Sequence, residues 1–364
     1  MRVELALRAT PPSALAALAA LGEAAGFDAI SVNETARDSI VAATLAAQAT
    51  RRPEIATSVT LAFPRSPTIT AMAAWDLQEL SGGRFILGLG SQVRGHLERR
   101  FGVAWAPPLP RMREYVRALR ALWCAFAGTA PLAFSGRFYR LSLLPAEFNP
   151  GPQPYPPPPI HLAAVNRAMC RLAGEVADGL RTHPLMTPHY LDAVVLPAIR
   201  EGRAQGGRDT PFELVAASFQ ALGENTTDRA RAREEARRMV AFYATTPAYR
   251  PVLALHGLAE LGDRLDQLAR AGKWEQLAAA VDDDVLDLFT LSGRLEDLPR
   301  LLAERFAGRA TRVSLFAPPR ALLQDPARLR AVVRELQQVP PLPVAALAVP
   351  PAGPGQSVRP GGST

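Results

Sequence analysis

Cysteine, lysine and long hydrophobic runs are scarce in this sequence of 364 residues. Its two cysteines, Cys124 and Cys170, are too few for a disulfide framework or a four-cysteine zinc site. No spacing of histidine, cysteine and carboxylate residues indicates a metal. No apolar run approaches the ~18–20 residues that a membrane span requires, and Glu4 lies where a signal peptide would be apolar. We therefore expect a cytoplasmic protein with no metal and no membrane contact.

Arginine has almost entirely replaced lysine in this chain. Lys273 is the only lysine among 41 basic residues, and the formal net charge is +7. With abundant alanine, proline and glycine, this bias is typical of a GC-rich coding sequence. The arginines are scattered and no basic tail or nucleic-acid-binding motif is present, so we expect no nucleic-acid partner. A small ligand with a phosphate or carboxylate group is compatible with them.

Short apolar runs alternate with longer helical patterns along the chain. Eight runs are predicted to be strands: 3–7, 27–32, 55–61, 85–90, 160–164, 180–183, 212–222 and 312–316. Strict alternation of strand and helix requires a parallel sheet, because each crossover turns the same way. Eight such units favour an α/β fold of the (β/α)8 TIM-barrel type, with its site at the carboxyl-terminal strand ends. An open doubly wound sheet is the alternative, although no Gly-x-Gly-x-x-Gly follows the first strand.

The positions of the strand, helix and proline-rich segments predict the domain organisation of the chain. Residues 1–318 would form the barrel, with a Pro-rich loop (145–159) before strand 5 and a helical insertion at about 244–300 between strands 7 and 8. Residues 319–339 would form a terminal helix. Residues 340–364 have few large apolar side chains and no periodicity, so they are expected to be a disordered Pro/Gly-rich tail.

Candidate functional residues follow the predicted strands. Glu34 follows strand 2 and His183 ends strand 6. Either residue could instead be structural: Glu34 could pair with an arginine, and His183 could form its hydrogen bonds within its own loop. Gly88 and Gly90 could permit close packing, while the residues after them would present exposed amides to a flat ring. The segment 164–166 opens a helix whose free amides suit a phosphate, although every barrel has such helix starts.

Several segments together resemble the bacterial luciferase-like monooxygenase superfamily. The resemblance covers roughly residues 1–318 and is carried by Ser81-Gly-Gly-Arg-Phe-Ile-Leu-Gly-Leu-Gly-Ser91, Gly26-Phe27-Asp28, Arg65-Ser66-Pro67 and Ala173-Gly-Glu-Val-Ala-Asp-Gly179. A subgroup of predicted coenzyme F420 (deazaflavin)-dependent oxidoreductases is similar in three further segments: Gln92–Gly102, Arg111–Tyr115 and Thr246–Pro251.

This resemblance implies a flavin or deazaflavin at the strand ends and assigns residues to it. Ser58–Val59 matches a non-prolyl cis peptide that bulges against the central ring. The residues implied to bind the cofactor are Asn33, Ser58, Val59, Gly90, Ser91, Gln92 and His96, with Ala164, Val165 and Asn166 as the phosphate loop. Thr35 stands where sugar-phosphate dehydrogenases of the superfamily carry a catalytic histidine, which argues against that activity.

The implied function is hydride transfer between F420 and a small organic substrate, with Glu34 or His183 as the catalytic proton donor or base. On this reading, replacing Glu34 by glutamine should reduce turnover more than cofactor affinity. An FMN-dependent monooxygenase is one alternative, and a non-catalytic flavin-binding barrel is another. The expected partner is a small molecule, and a homodimer is a possible assembly.

Overall fold

The computed structural model describes residues 1–316 and 325–348. Its centre is a closed barrel of parallel strands, in which the strands that begin at residues 2, 29, 54, 85, 160, 179, 213 and 312 are neighbours in that order and the last pairs with the first. The strands are β1 Arg2–Leu7, β2 Ala29–Val32, β3 Glu54–Thr57, β4 Thr60–Leu61, β5 Phe85–Gly90, β6 Phe134–Ser135, β7 Arg140–Leu141, β8 Ile160–Ala163, β9 Gly179–Arg181, β10 Glu213–Ala217, β11 Phe219–Leu222, β12 Thr290–Gly293 and β13 Arg312–Phe316. The predicted eight-stranded parallel barrel is confirmed.

Helices make up most of the rest of the described structure, and their buried apolar side chains form one core with those of the strands. They are α1 Pro12–Ala25, α2 Ser39–Ala49, α3 Pro67–Leu80, α4 Arg94–Arg99, α5 Pro108–Phe126, α6 Arg167–Val176, α7 Pro188–Tyr190, α8 Leu196–Gly206, α9 Thr226–Ala244, α10 Arg250–Leu255, α11 Ala259–Arg270, α12 Glu275–Ala279, α13 Asp283–Phe289, α14 Leu298–Phe306 and α15 Pro326–Gln338. A π-helical segment, Leu191–Val195, joins α7 to α8. No helix in the described parts of the chain is both long and apolar enough to cross a membrane.

Local sequence signals explain where several of these helices begin and end. The Ser66 side chain accepts a hydrogen bond from the Ile69 amide, and Pro67 occupies the first turn of α3. The Asp38 side chain accepts from two amides at the start of α2. Gly26 ends α1 in the left-handed region, with φ of 88°, which glycine adopts without strain.

Two predicted strands are interrupted. The run 55–61 divides into β3 and β4, with the Ser58–Val59 bond between them. The run 212–222 was predicted as one barrel strand, and this is wrong. The chain leaves the barrel at the buried Ser218, whose hydroxyl contacts the Phe289 carbonyl and the Arg305 guanidinium. Beyond Ser218, β11 pairs with β12 instead of with a barrel strand.

Helices α10–α13 occupy much of the interval 244–300, and the loop 145–159 contains one short 3₁₀ turn, Ala146–Phe148. Residues 340–348 differ from the expected loose tail. Leu342 and Leu347 are buried, and the Arg203 guanidinium donates to the Leu347 carbonyl at 2.6 Å. The apolar side chains that this short segment does contain are thus used for packing. Residues 349–364 of the predicted tail and 319–324 of the predicted terminal helix lie outside the described residues.

The interior of the barrel contains a network of buried charges. Glu4 is fully buried and accepts three hydrogen bonds of 2.6–3.1 Å from Arg181 and one of 3.0 Å from Ser314. Arg312, also fully buried, lies 3.4 Å from Glu4 and 2.7 Å from Glu213. Burial alone would raise the pKa of Glu4, but the two guanidinium groups outweigh it and lower that pKa. Paired charges therefore fill the barrel beneath its carboxyl-terminal opening.

Candidate active site

The barrel places most of the predicted site residues around one opening. Strands β2, β3, β5, β8 and β9 are consecutive neighbours, and their carboxyl-terminal ends face the same way. The segments that follow them are 33–34, 58–59, 91–92, 164–166 and 182–183. We call this opening the mouth. Within the described residues, no group of three or more His, Cys, Asp or Glu side chains is arranged to hold a metal.

The Ser58–Val59 bond is cis, as the resemblance implied. The glycines of β5 allow this segment to lie close to the neighbouring strand. A Cβ on Gly88 would lie 1.9 Å from the Thr57 carbonyl oxygen, and one on Gly90 would lie 2.6 Å from Val59 Cγ2. Gly88 and Gly90 therefore serve close packing, one of the two roles considered from the sequence, and this packing holds the half-buried Val59 at the mouth.

Glu34 is engaged by its surroundings on both carboxylate oxygens. Its Oε1 lies 2.7 Å from the Arg65 guanidinium, and its Oε2 accepts from the Leu61 amide at 2.8 Å and the Ser39 hydroxyl at 3.2 Å. Desolvation opposes the charge on Arg65, but Glu34 and Asp38 outweigh it and raise its pKa. The side chain of Glu34 is only 9% exposed. Its contacts are those of a residue that positions the segment after the cis bond.

Replacing Glu34 by glutamine should therefore lower the free energy of unfolding by about 1–3 kcal/mol, because the partly buried Arg65 would lose a charged partner. Urea unfolding at pH 7 measures this. Glu98→Gln is the matched control, since the Arg94–Glu98 pair is exposed and such pairs contribute about 0.3–0.5 kcal/mol. Equal stability of the Glu34→Gln variant and the native protein would overturn this positioning role.

His183 lies in an aromatic cluster at the end of β9. Its ring centroid is 4.2 Å from that of Tyr243 and 4.6 Å from that of Tyr249, with Phe219 at 6.0 Å. Its Nδ1 accepts a hydrogen bond from the Leu185 amide at 3.1 Å, so the neutral ring carries its proton on Nε2. Desolvation, together with the charge of Arg8, lowers the pKa of His183 to about 3. At neutral pH this side chain is a hydrogen-bond donor.

The other predicted residues differ in how they are engaged by the fold. Asn33 Oδ1 accepts from the Ala9 amide at 3.0 Å and Asn166 caps α6 through the Met169 amide, so both side chains also shape the backbone. Ser91 and Gln92 are half-buried, and Gln92 has a φ of 60°. His96 is exposed on α4, and no side-chain contact joins it to the other predicted residues in the described structure.

Three features of the mouth were missed in the sequence. Arg8 follows β1 and donates to the Tyr243 hydroxyl at 3.4 Å. Arg65 was noted only as part of a motif, although it joins Glu34 to Asp38. The Thr187 hydroxyl lies 2.8 Å from His256 Nε2, connecting the loop after β9 to α10. Arg8 could have been found from the sequence, because an arginine directly after a predicted barrel strand is a candidate for the mouth.

Residues 2–312 match the family described as luciferase-like monooxygenase. An uncharacterized protein of Mycobacterium tuberculosis is 42% identical over 289 residues, covering 79% of this chain and 85% of that protein. The 5,10-methylenetetrahydromethanopterin reductase of Archaeoglobus fulgidus is 30% identical, covering 82% and 87%. A putative coenzyme F420-dependent oxidoreductase of M. tuberculosis is 29% identical, covering 88% and 95%.

Solved structures share the fold at lower sequence identity. The coenzyme F420-dependent tetrahydromethanopterin reductase of Methanopyrus kandleri has a TM-score of 0.72 at 20% identity, covering 93% of this chain and 98% of that one. The oxygenating constituent of 3,6-diketocamphane monooxygenase from Pseudomonas putida, in complex with FMN, has a TM-score of 0.60 at 15% identity, covering 93% and 97%. At these identities the likeness establishes the barrel architecture alone.

Proposed function

The chain belongs to the luciferase-like monooxygenase family, and from this premise we propose that it is an F420-dependent oxidoreductase that transfers a hydride between the deazaflavin and a small organic substrate. One observation carries the proposal. The chain is about 30% identical, over more than four-fifths of its length, to proteins described as a methanopterin reductase and a putative F420-dependent oxidoreductase.

The mouth fits a planar cofactor. Val59 offers an apolar surface backed by Gly90, and no internal hydrogen bond in the described structure engages the half-buried Ser58 and Ser91 hydroxyls. These groups would hold the ring, together with Asn33 and Gln92. The amino-terminal end of α6, capped by Asn166, would receive the phosphate. When bound, a deazaflavin supplies hydride chemistry without activating oxygen as a reduced flavin does.

The protein's own contribution is orientation and a polar contact at the reacting substrate. Nε2–H of the neutral His183 can donate to a substrate oxygen on which negative charge develops during reduction. Glu34, tied to Arg65 and Leu61, acts as a positioning residue for the segment 58–61. The rings of Tyr243 and Tyr249 pack against His183 and partly bury it. Such positioning is the protein's main task in cofactor enzymes.

Anaerobic titration of the full chain with F420 and with FMN, followed by absorbance and fluorescence, tests the proposal. We expect F420 to bind at least tenfold more tightly than FMN. If FMN copurifies with the protein and F420 fails to bind, the proposal is wrong and the monooxygenase function replaces it.

Replacing Gly90 by alanine should weaken F420 binding at least tenfold, about 1.4 kcal/mol. The added methyl group would lie within 2.6 Å of Val59 Cγ2 and would displace Val59 from the ring face. Gly262→Ala is the control, because its Cβ would meet only the flexible Leu253 side chain, at 3.1 Å. Fluorescence titration measures both affinities. Unchanged F420 binding by Gly90→Ala would remove Val59 from the proposed cofactor site.

The FMN-dependent monooxygenase is the second candidate, because the barrel is similar to one solved with FMN. A non-catalytic flavin-binding barrel is supported by a different observation, the full engagement of the Glu34 carboxylate. Cofactor binding without turnover of any tested substrate would favour that third function.

A further inference from the structure

At the end of β1, which pairs with β2, the mouth contains an arginine without an acidic partner in the described structure. Arg8 follows β1, and its guanidinium donates to the Tyr243 hydroxyl at 3.4 Å and lies 4.7 Å from the centroid of Phe316. No carboxylate within residues 1–316 and 325–348 forms an ion pair with it. Residues 317–324 and 349–364 contain no aspartate or glutamate, so they add no acidic side chain.

Arg65, a second arginine at the mouth, shows what a completed ion pair looks like here. The Arg65 guanidinium lies 2.7 Å from Glu34 and 2.6 Å from Asp38. Arg8 is half-buried like Arg65, yet a neutral hydroxyl and an aromatic ring are its neighbours. A partly desolvated guanidinium gains most from a carboxylate, which it can bind through two parallel hydrogen bonds.

A second unused donor lies beside Arg8. His183 contacts the same Tyr243, with ring centroids 4.2 Å apart, and its Nδ1 is taken by the Leu185 amide. Its Nε2–H therefore remains without an internal acceptor in the described structure. Phe219 and Tyr249 complete the walls around it. Two donors among aromatic rings suit a flat organic body that carries an oxyanion.

We infer that the substrate is an organic carboxylate with a planar apolar body, whose carboxylate binds Arg8 and whose body packs against the aromatic cluster beside His183. As a statement about a substrate, this inference rests on the proposed oxidoreductase function. The binding site itself can be tested without cofactor or turnover. The same oxyanion chemistry could come from the acidic groups of the cofactor, and the test distinguishes these two sources.

The experiment titrates the full-length protein, without added cofactor, with benzoate and cinnamate and with their neutral amides, by calorimetry and ligand-observed NMR. We expect at least one acid to bind at least tenfold more tightly than its amide. Arg8→Gln should abolish this preference and leave the affinity for the amide and for F420 unchanged. Arg52→Gln is the control for loss of one charge, because Arg52 is 77% exposed at the amino-terminal end of β3.

The comparison of acid with amide on the native protein needs no variant, so a poorly folding Arg8→Gln protein would leave the inference testable. Equal affinity for acids and amides, or no binding of either acid, would overturn it. A loss of F420 affinity in Arg8→Gln, with acid binding intact, would overturn it by assigning Arg8 to the cofactor. Acid binding that depends on Arg8 in a protein that does not bind F420 would support the carboxylate site while refuting the proposed function.

Discussion

Replacing Glu4 by glutamine should lower the free energy of unfolding by about 3–5 kcal/mol, the usual cost of removing one partner from a buried ion pair. Glu4 is fully buried and neutralises Arg181 and Arg312 inside the barrel. Glutamine has nearly the same shape as glutamate but no charge. Its side-chain NH2 group would face the N–H groups of the guanidinium, which cannot accept a hydrogen bond. Arg181 would then lie buried without an ion-pair partner in the described structure, while Arg312 would keep Glu54 and Glu213.

Urea unfolding at pH 7 gives the size of this effect. Glu304→Gln is the matched control, because the Arg300–Glu304 pair is about 60% exposed and contributes about 0.3–0.5 kcal/mol. Since Arg181 Cδ lies 3.3 Å from the position that a Cβ on Gly88 of β5 would occupy, we also expect a displaced Arg181 to disturb β5 and Glu4→Gln to weaken ligand binding at the mouth. A loss of stability below 1 kcal/mol would show that the interior charges are not tightly coupled.

The sequence predicted the strands of the barrel but not which buried charges pair inside it. The alternation of strand and helix was sufficient to place eight strands, because hydrophobic periodicity is a local signal. Glu4, Arg181 and Arg312 are up to 308 residues apart, and each occurs singly within an apolar strand. Which charges meet depends on barrel closure and strand register. The presence of charged residues in predicted buried strands was nevertheless a usable sign that paired charges lie inside.

The location of the candidate site was predictable from the sequence, but most of its side-chain contacts were not. The ends of the strands located the mouth, and the family resemblance correctly indicated the cis bond at Ser58–Val59. Pairing of Glu34 with an arginine was one of the alternatives considered, but the identity of that arginine was less accessible, because Arg65 and the Leu61 amide approach Glu34 only when β2, β3 and α3 are assembled. The break at Ser218 was invisible for the same reason, since the contacts of its hydroxyl come from residues 289 and 305.

The pH dependence of stability should report the environment of His183 directly. Its pKa is near 6.5 in an unfolded chain and is lowered to about 3 in the fold by desolvation and by Arg8. Between these pH values the unfolded state binds a proton that the native state does not, so acid favours unfolding. The contribution of His183 is complete above pH 6.5 and is lost as the pH falls toward 3, at about 1.4 kcal/mol per pH unit.

Comparison with a variant isolates this contribution from those of other groups. His161 acts in the same direction, because burial and the nearby arginines hold its pKa well below the ordinary value. Glu213 acts in the opposite direction, since desolvation raises its pKa and its native form binds a proton first. His183→Phe keeps an aromatic ring in the cluster but removes the titrating group. From pH 6.5 to pH 5 it should therefore lose about 2 kcal/mol less stability than the native protein.

Urea unfolding at several pH values between 5 and 7.5 measures these slopes. His183→Phe will be less stable at pH 7, because the Leu185 amide loses its acceptor, but that offset does not change with pH. Tyr249→Phe is the control, since it alters the same cluster without removing a group that titrates in this range, and it should keep the native slope. If His183→Phe kept that slope too, His183 would be protonated in the fold near its ordinary pKa. It would then be a cation below about pH 6.5, unlike the neutral donor on which its proposed role in the mouth depends.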